Sequence, residues 1–392
     1  MDLLSFSHLR WDFVFQRPQQ LLSRAARSHR VVFIEEPVAD PAGPFLSQVD
    51  RDGVCVVVPH LPPGQGASED ELLGDLVATL VRDLGLVAPV LWYYTPMALR
   101  WTRALHPTAS LVVYDCMDHL AGFRGAPVLL LELERELIDA SDLIFTGGAS
   151  LHQAKSRDHT SAYCFPSSVD VAHFGRARRM LPQPNDQAAI GQPRIGYFGV
   201  LDERIDWELV AAVADRRDDW QLVFVGPIAK VNPGDLPTGP NLHYLGAKSY
   251  EDLPAYLAGW DVAMMPFARN EATRYISPTK TPEYLAGGRP VVSTSITDVV
   301  NPYARSGLVE IGDTPAQFVT AIERAFDRDL GDLRARADAF LADQSWDRTW
   351  EEMEGLLGRA ADRAVPQLSA LRGQSSRTGP GVGWAPVGGM KP

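Results

Sequence analysis

The chain has few cysteines, no excess of positive charge and no long apolar run, and each absence excludes a class of function. Cys55, Cys116 and Cys164 lie far apart, each inside a strand-like run, and no zinc or redox spacing links them. They read as buried reduced thiols, which suits the cytosol. A net charge of −12 argues against a general nucleic-acid binder. No run reaches the roughly 18 apolar residues of a membrane-spanning helix. The opening Met1–Ser7 carries an acid at Asp2 and breaks at once into His8, Arg10 and Asp12, unlike a secretory signal. No Gly-x-Gly-x-x-Gly follows a first strand in either half, which disfavours a nicotinamide or flavin site. No Gly-x-x-x-x-Gly-Lys-Ser/Thr phosphate loop is present either.

What is present is a globular composition, 45% hydrophobic and 22% charged, over 392 residues. That length exceeds one ordinary core, so two domains are expected. In the first half, 3–7, 30–35, 54–58, 90–94, 110–116, 142–146 and 162–165 read as strands buried on both faces. Helices are expected between them at 18–28, 68–84, 96–105, 127–140 and 150–157. Residues 176–193, with three arginines and three prolines, read as a linker. The pattern then restarts. Strands are expected at 194–200, 220–226, 241–244, 261–266, 290–294 and 308–311, with helices at 206–215, 250–257, 277–287 and 315–326. This is α/β organisation with two doubly wound Rossmann-like domains, 1–175 and 194–345, facing a central cleft that the linker lets open and close. A helix at 346–365 could pack back on the first domain. Residues 366–392, rich in Gly, Pro and Ser, read as a disordered tail.

The segment Ser277-Pro-Thr-Lys-Thr-Pro-Glu-Tyr-Leu-Ala-Gly-Gly-Arg-Pro-Val-Val-Ser-Thr294 carries the most chemistry. Ser277 is a good N-cap and Pro278 a good first helical residue, although Thr281-Pro282 repeats the pair one turn later. Thr279 completes the entry. Lys280 and Glu283, three residues apart, can project from one face beside free amides. A capped surface helix with an ion pair fits these residues. So does a site with a diphosphate on Lys280 and the amides and ribose hydroxyls on Glu283. Four glycine- or proline-marked strand ends precede it: Gly199 with Arg204 in the next loop, Gly226-Pro227, Leu245-Gly246, and Pro266 to Asn270. That context favours the sugar-nucleotide reading.

In the first half, Arg10, Trp11, Gln16 and Arg17 occupy the loop after the first strand and are candidates for acceptor binding. The alternative is Trp11, Phe13 and Phe15 plugging a core edge with Arg17 solvated. Asp118 and His119 end a strand and could take a proton from an acceptor hydroxyl. A helix cap and a loop histidine are their ordinary roles. Glu35 and Glu36 are weaker candidates for a polar acceptor. Arg24, Arg27 and Arg30 recur at three-residue spacing and could face anionic lipid, although a solvated helix face explains them more simply.

Three segments resemble one family. Ser277–Val292 resembles the donor-site helix of GT-B fold glycosyltransferases of the bacterial group 1, family 4-like type. Pro166-Ser-Ser-Val-Asp-Val-Ala-His-Phe174 resembles the segment that ends their first domain. Trp11-Asp-Phe-Val-Phe-Gln-Arg-Pro-Gln-Gln-Leu21 resembles the opening of a subset that builds surface polysaccharides or glycolipids. The resemblance spans about residues 1–360. It implies Lys280 and the helix amides on the donor diphosphate, Glu283 on ribose, Gly199 and Arg204 beside the phosphates, and Leu245-Gly246 at the base. One departure stands out. Many retaining members carry a second Glu eight positions before the ribose-binding one, where this chain has Tyr275. The implied protein is a cytoplasmic transferase, peripheral at most to the inner face of the membrane. It would need no metal or cofactor and would move sugar from a UDP- or GDP-sugar to a lipid-linked or polysaccharide acceptor. A sugar-nucleotide 2-epimerase and an inactive scaffold of the same fold are the alternatives.

Overall fold

The computed structural model describes residues 1–375, without the side chains of Ala67 and of 364–375. The first domain is built on nine strands: β1 (Asp2–Phe6), β2 (Arg30–Ile34), β3 (Val38–Ala39), β4 (Phe45–Arg51), β5 (Val54–Leu61), β6 (Val90–Tyr93), β7 (Leu111–Cys116), β8 (Leu143–Thr146) and β9 (Ala162–Cys164). Their order is β3-β5-β2-β1-β6-β7-β8-β9, and all pair in parallel except β4, which runs antiparallel to β5. β3 and β4 are not legible in sequence. The prolines at 37, 41 and 44 read as loop, and β4 is mostly exposed, so it carries no core signature.

The second domain has six parallel strands: β10 (Arg194–Phe198), β11 (Gln221–Val225), β12 (Leu242–Tyr244), β13 (Val262–Met265), β14 (Val291–Ser293) and β15 (Val309–Ile311), ordered β12-β11-β10-β13-β14-β15. Both sheets reverse their winding beside their first strand, between β1 and β6 and between β10 and β13. Loops leaving strand ends at such a reversal cannot pack over each other, so a crevice opens there.

Most helices fall where the sequence places them. The helix of Pro315–Phe326 matches its expected bounds, while Leu330–Leu341 is an additional one. The linker folds into short helical turns, including Asn185–Ala188. The last helix, Trp346–Ser375, returns to the first domain. Trp346, Trp350, Met353 and Leu357 enter its core beside Trp92, Phe145 and Leu21. It runs past residue 365, so the tail expected from 366 begins inside a helix. Residues 376–392 lie outside the described residues.

The arginines suspected of facing lipid each have a carboxylate partner on the protein itself, although Arg24 and Arg27 share one. Arg24 and Arg27 both bind Asp347 of the last helix, at 3.2 and 2.7 Å, and Arg30 binds Asp2 at 2.7 Å. Among the described residues no helix is long and apolar enough to cross a membrane.

Candidate active site

Two connected cavities lie between the domains. The smaller, about 170 Å³, is lined by Gly199, Gly226, Ser277, Pro278, Thr279, Lys280 and Glu283, with Gln16, Arg17 and Asp118 from across the cleft. The larger, about 820 Å³, is lined by His8, Arg10, Gln16, Asp118, Phe123 and Lys230 among others. Asp118, Gln16, Val14, Met117, Val200 and Arg204 line both, so they form the passage.

The small cavity begins with two glycines. Gly199 and Gly226 sit at φ 137° and 150°, a region L side chains rarely adopt. A Cβ on Gly226 would strike the Gly199 carbonyl, and one on Gly199 would strike the Lys280 side chain. Lys280 therefore lies directly against bare backbone, with its Nζ 5.6 Å from the Tyr197 ring centre. Burial lowers the Lys280 pKa, while Glu283, Asp202 and Asp118 pull it back. Burial raises Glu283 to about 7, and Lys280 opposes that rise. Both line the small cavity without an ion pair within 4.0 Å between them, so each is a desolvated charge that a ligand there would meet directly.

The helix here runs Lys280–Ala286 and so starts after Ser277. Ser277 is not its cap and Pro278 is not its first residue. The Ser277 carbonyl instead accepts a hydrogen bond from Ser167 Oγ of the first domain at 2.9 Å. The N–H groups of Thr281 and Glu283 bond the Pro278 and Thr279 carbonyls. Few helix amides remain free, so side-chain cations must carry most of the anion binding. Arg204 is one of them. Burial works against its charge, but Asp202 grips it through three contacts of 2.7–3.1 Å and raises its pKa.

Leu245 and Gly246 do not line the cavity. Leu245 packs against the core, and the Gly246 carbonyl accepts from Gly226 N–H at 2.9 Å. The wall expected there is made by Lys248, Tyr250 and Leu253. Tyr250 is stacked on His173 at 4.2 Å and touches Phe15 of the first domain at 4.7 Å, while Gln20 donates to its hydroxyl at 3.1 Å. Sequence gave no signal for it, because its role comes from partners 77 to 235 residues away (250 − 173 and 250 − 15).

Across the cleft, burial raises the Asp118 pKa, and Arg204 opposes the rise most strongly. His119 lines neither cavity. Its ring meets Tyr275 edge-on at 5.3 Å, and burial lowers its pKa. Tyr275 is thus turned toward the first domain rather than into the donor cavity.

The loop after β1 divides. Arg10 reaches the large cavity but is held by Glu35 at 2.9 Å and by the carbonyls of Glu36 and Pro37. Trp11 is 7% exposed and packs on Phe33, as the core-plug alternative has it, whereas Phe13 and Phe15 are exposed and line the large and the small cavity, against that alternative. Arg17 is neither solvated nor available: it is 3% exposed, bound to Asp115 at 2.9 Å and to the Phe165 carbonyl at 2.8 Å. Gln16 stays on the passage, its N–H accepted by Gln19 Oε1 at 3.1 Å at the helix start. Sequence reading also missed His8 and Lys230, both on the large cavity's wall.

Known proteins share this architecture. Residues 192–328 match the family described as glycosyl transferases group 1. A Bacillus subtilis (strain 168) protein, TuaH, provisionally named a teichuronic acid biosynthesis glycosyltransferase, is 26% identical over 270 residues. The match covers 64% of this chain and 63% of that protein's length. Sucrose-phosphate synthase from Thermosynechococcus elongatus superposes with a TM-score of 0.68 at 15% identity, covering 91% of this chain and 98% of its own. Anabaena HepE, solved with UDP and glucose, gives 0.64 at 14% identity, covering 91% and 99%. The chain therefore has the GT-B fold, and its residues 192–328 match the group 1 glycosyltransferase model.

Proposed function

We propose that the chain transfers a sugar from a nucleoside-diphosphate donor, UDP- or GDP-linked, to a lipid-linked or polysaccharide acceptor. The observation that carries this is Lys280 and Glu283 lining one cavity that opens, past Asp118, into a second and larger one. The diphosphate would lie against Gly199 between Lys280 and Arg204, and Glu283 would accept from ribose hydroxyls. The bond from the sugar's anomeric carbon to the diphosphate breaks, and the acceptor oxygen takes its place. Lys280 and Arg204 stabilise the negative charge that builds on the leaving diphosphate. The acceptor proton passes to Asp118 in an inverting reaction. In a retaining one it passes to the departing phosphate while Asp118 orients the sugar. Burial raises the Asp118 pKa, which makes its carboxylate a stronger base than a solvated one. The reaction as proposed uses no resident metal or cofactor.

The name of TuaH supports a polymer acceptor. Val128, 93% exposed, lies with exposed Leu129 and Leu131 beside the Arg124–Pro127 rim of the large cavity. That apolar lip suits a lipid-linked acceptor.

Calorimetry with UDP and GDP, followed by assays with UDP-, GDP- and ADP-sugars, tests the reading. Nucleotide release that requires an acceptor supports transfer. Sugar isomerisation without an acceptor would mean the epimerase, and absence of nucleotide binding would mean a scaffold. Lys280→Ala with unaltered transfer would sink the donor-site assignment.

A further inference from the structure

We propose that Lys230 selects charge in the acceptor cavity, binding a phosphate or carboxylate group on the acceptor saccharide. This rests on the transferase reading. Five basic side chains line the large cavity: Arg10, Arg100, Arg124, Arg204 and Lys230. Four are already matched, by Glu35 (2.9 Å), Asp70 (2.9 Å), Glu203 (3.6 Å) and Asp202 (2.7 Å). Among the described residues Lys230 has no carboxylate within 4.0 Å. Outside this cavity Lys155 is paired with Glu134 and Lys248 with Asp186, while Lys280, also without a carboxylate within 4.0 Å, lies in the donor cavity. Arg17, the cation that sequence offers for an acceptor's charge, is spent on Asp115.

Lys230 is exposed, and two features of its geometry bear on its role. Its backbone is left-handed at φ 59°, a strained setting for a residue with a side chain and one found at functional sites. It leaves the loop after β11 and carries its ammonium across the cleft to 4.6 Å from the centre of the Phe123 ring. The cation therefore belongs to one domain and its aromatic support to the other, so the pair is complete only when the domains face each other.

The neighbours suit an anionic saccharide. His8 shares the wall, and its buried Nδ1 has no hydrogen-bond partner. Burial, and then Lys230, push its pKa down to about 4, so the ring adds no second charge beside the cation. Glu36 and Asp118 also feel the Lys230 field, but neither approaches within ion-pair distance. A charged group entering between Lys230 and His8 would therefore displace no existing pair.

The test uses the full chain, with and without UDP. Binding of glucose 6-phosphate, glucuronate and glucose is measured for wild type, Lys230→Met and Lys230→Arg. Loss of a hydrogen bond to a charged group corresponds to roughly tenfold or more in affinity. Wild type should bind one or both anionic sugars about tenfold or more tighter than glucose, and the favoured one identifies phosphate or carboxylate. Lys230→Met should lose that preference, Lys230→Arg should keep most of it, and UDP affinity should stay unchanged in all three. Absence of the preference in wild type, or its survival in Lys230→Met, overturns the proposal. Failure of UDP binding would refute the donor site instead, and the arm without nucleotide would still decide on Lys230.

Discussion

Replacing Gly148 with alanine should separate domain docking from domain folding. Gly148 is extended, at φ −172° and ψ 165°, so alanine meets no backbone strain there. Its methyl would cross the cleft into the Asp298 carboxylate and come within 2.7 Å of Ser277 Cβ, both in the second domain. Ordinary contact begins at 3.4 Å, so Ser277 must retreat by about 0.7 Å (3.4 − 2.7). Asp298 is not free to swing aside, because its two oxygens accept from Ser150 N–H at 3.1 and 3.4 Å. Overpacking costs ~1–3 kcal/mol. Losing a hydrogen bond to a charged group costs ~1.5–3 kcal/mol more. The sum, ~2.5–6 kcal/mol, weakens docking by roughly 50-fold or more. Small-angle scattering should therefore show a larger radius of gyration for the variant, with an unchanged far-UV circular dichroism spectrum. A wild-type radius of gyration would refute the steric argument. Lost secondary structure would refute the claim that the strain lies between domains. Gly147→Ala is the contrast, since its methyl would strike the Met117 carbonyl inside the first domain and should lower that domain's melting temperature.

Asp115→Asn should leave Arg17 as a buried unpaired charge and cost ~3–5 kcal/mol in denaturant unfolding; a change below 1 kcal/mol would return Arg17 to the ligand-binding candidates. Glu283, raised by burial to about 7, accepts ribose hydroxyls best when ionised, so calorimetric UDP affinity should fall as pH drops through about 7 in wild type. Glu283→Gln should lack that component, and identical slopes in both proteins would sink the assignment. Because the folded pKa lies above the ordinary 4.5, the Glu283 contribution to stability is full below about 4.5 and is lost as pH rises through about 7. Relative to wild type, Glu283→Gln should thus melt higher at pH 8 than at pH 5. Tyr250→Ala and Phe15→Ala should couple by ~0.5–1.5 kcal/mol in a double-mutant cycle on unfolding, whereas additive losses would mean the rings do not support each other.

Sequence alone determined the two α/β units, because strand–helix alternation is a local signal that repeats. It also put Lys280 and Glu283 at one site, since three residues of one helix let both line the same cavity. The strand-end glycines at 199 and 226 were legible for the same local reason. The exposed ribbon of β4 was not, because it buries no face. Nor could sequence decide which charges remain available. Arg17 and Lys230 look alike as single letters. Asp115, 98 residues from Arg17, consumes one, while the fold holds the other beside Phe123, with no carboxylate among the described residues within 4.0 Å. Tyr250, Gly148 and Asp298 take their roles from partners in the opposite domain. Those roles exist only once the two sheets face each other, because burial and long-range pairing belong to the tertiary structure.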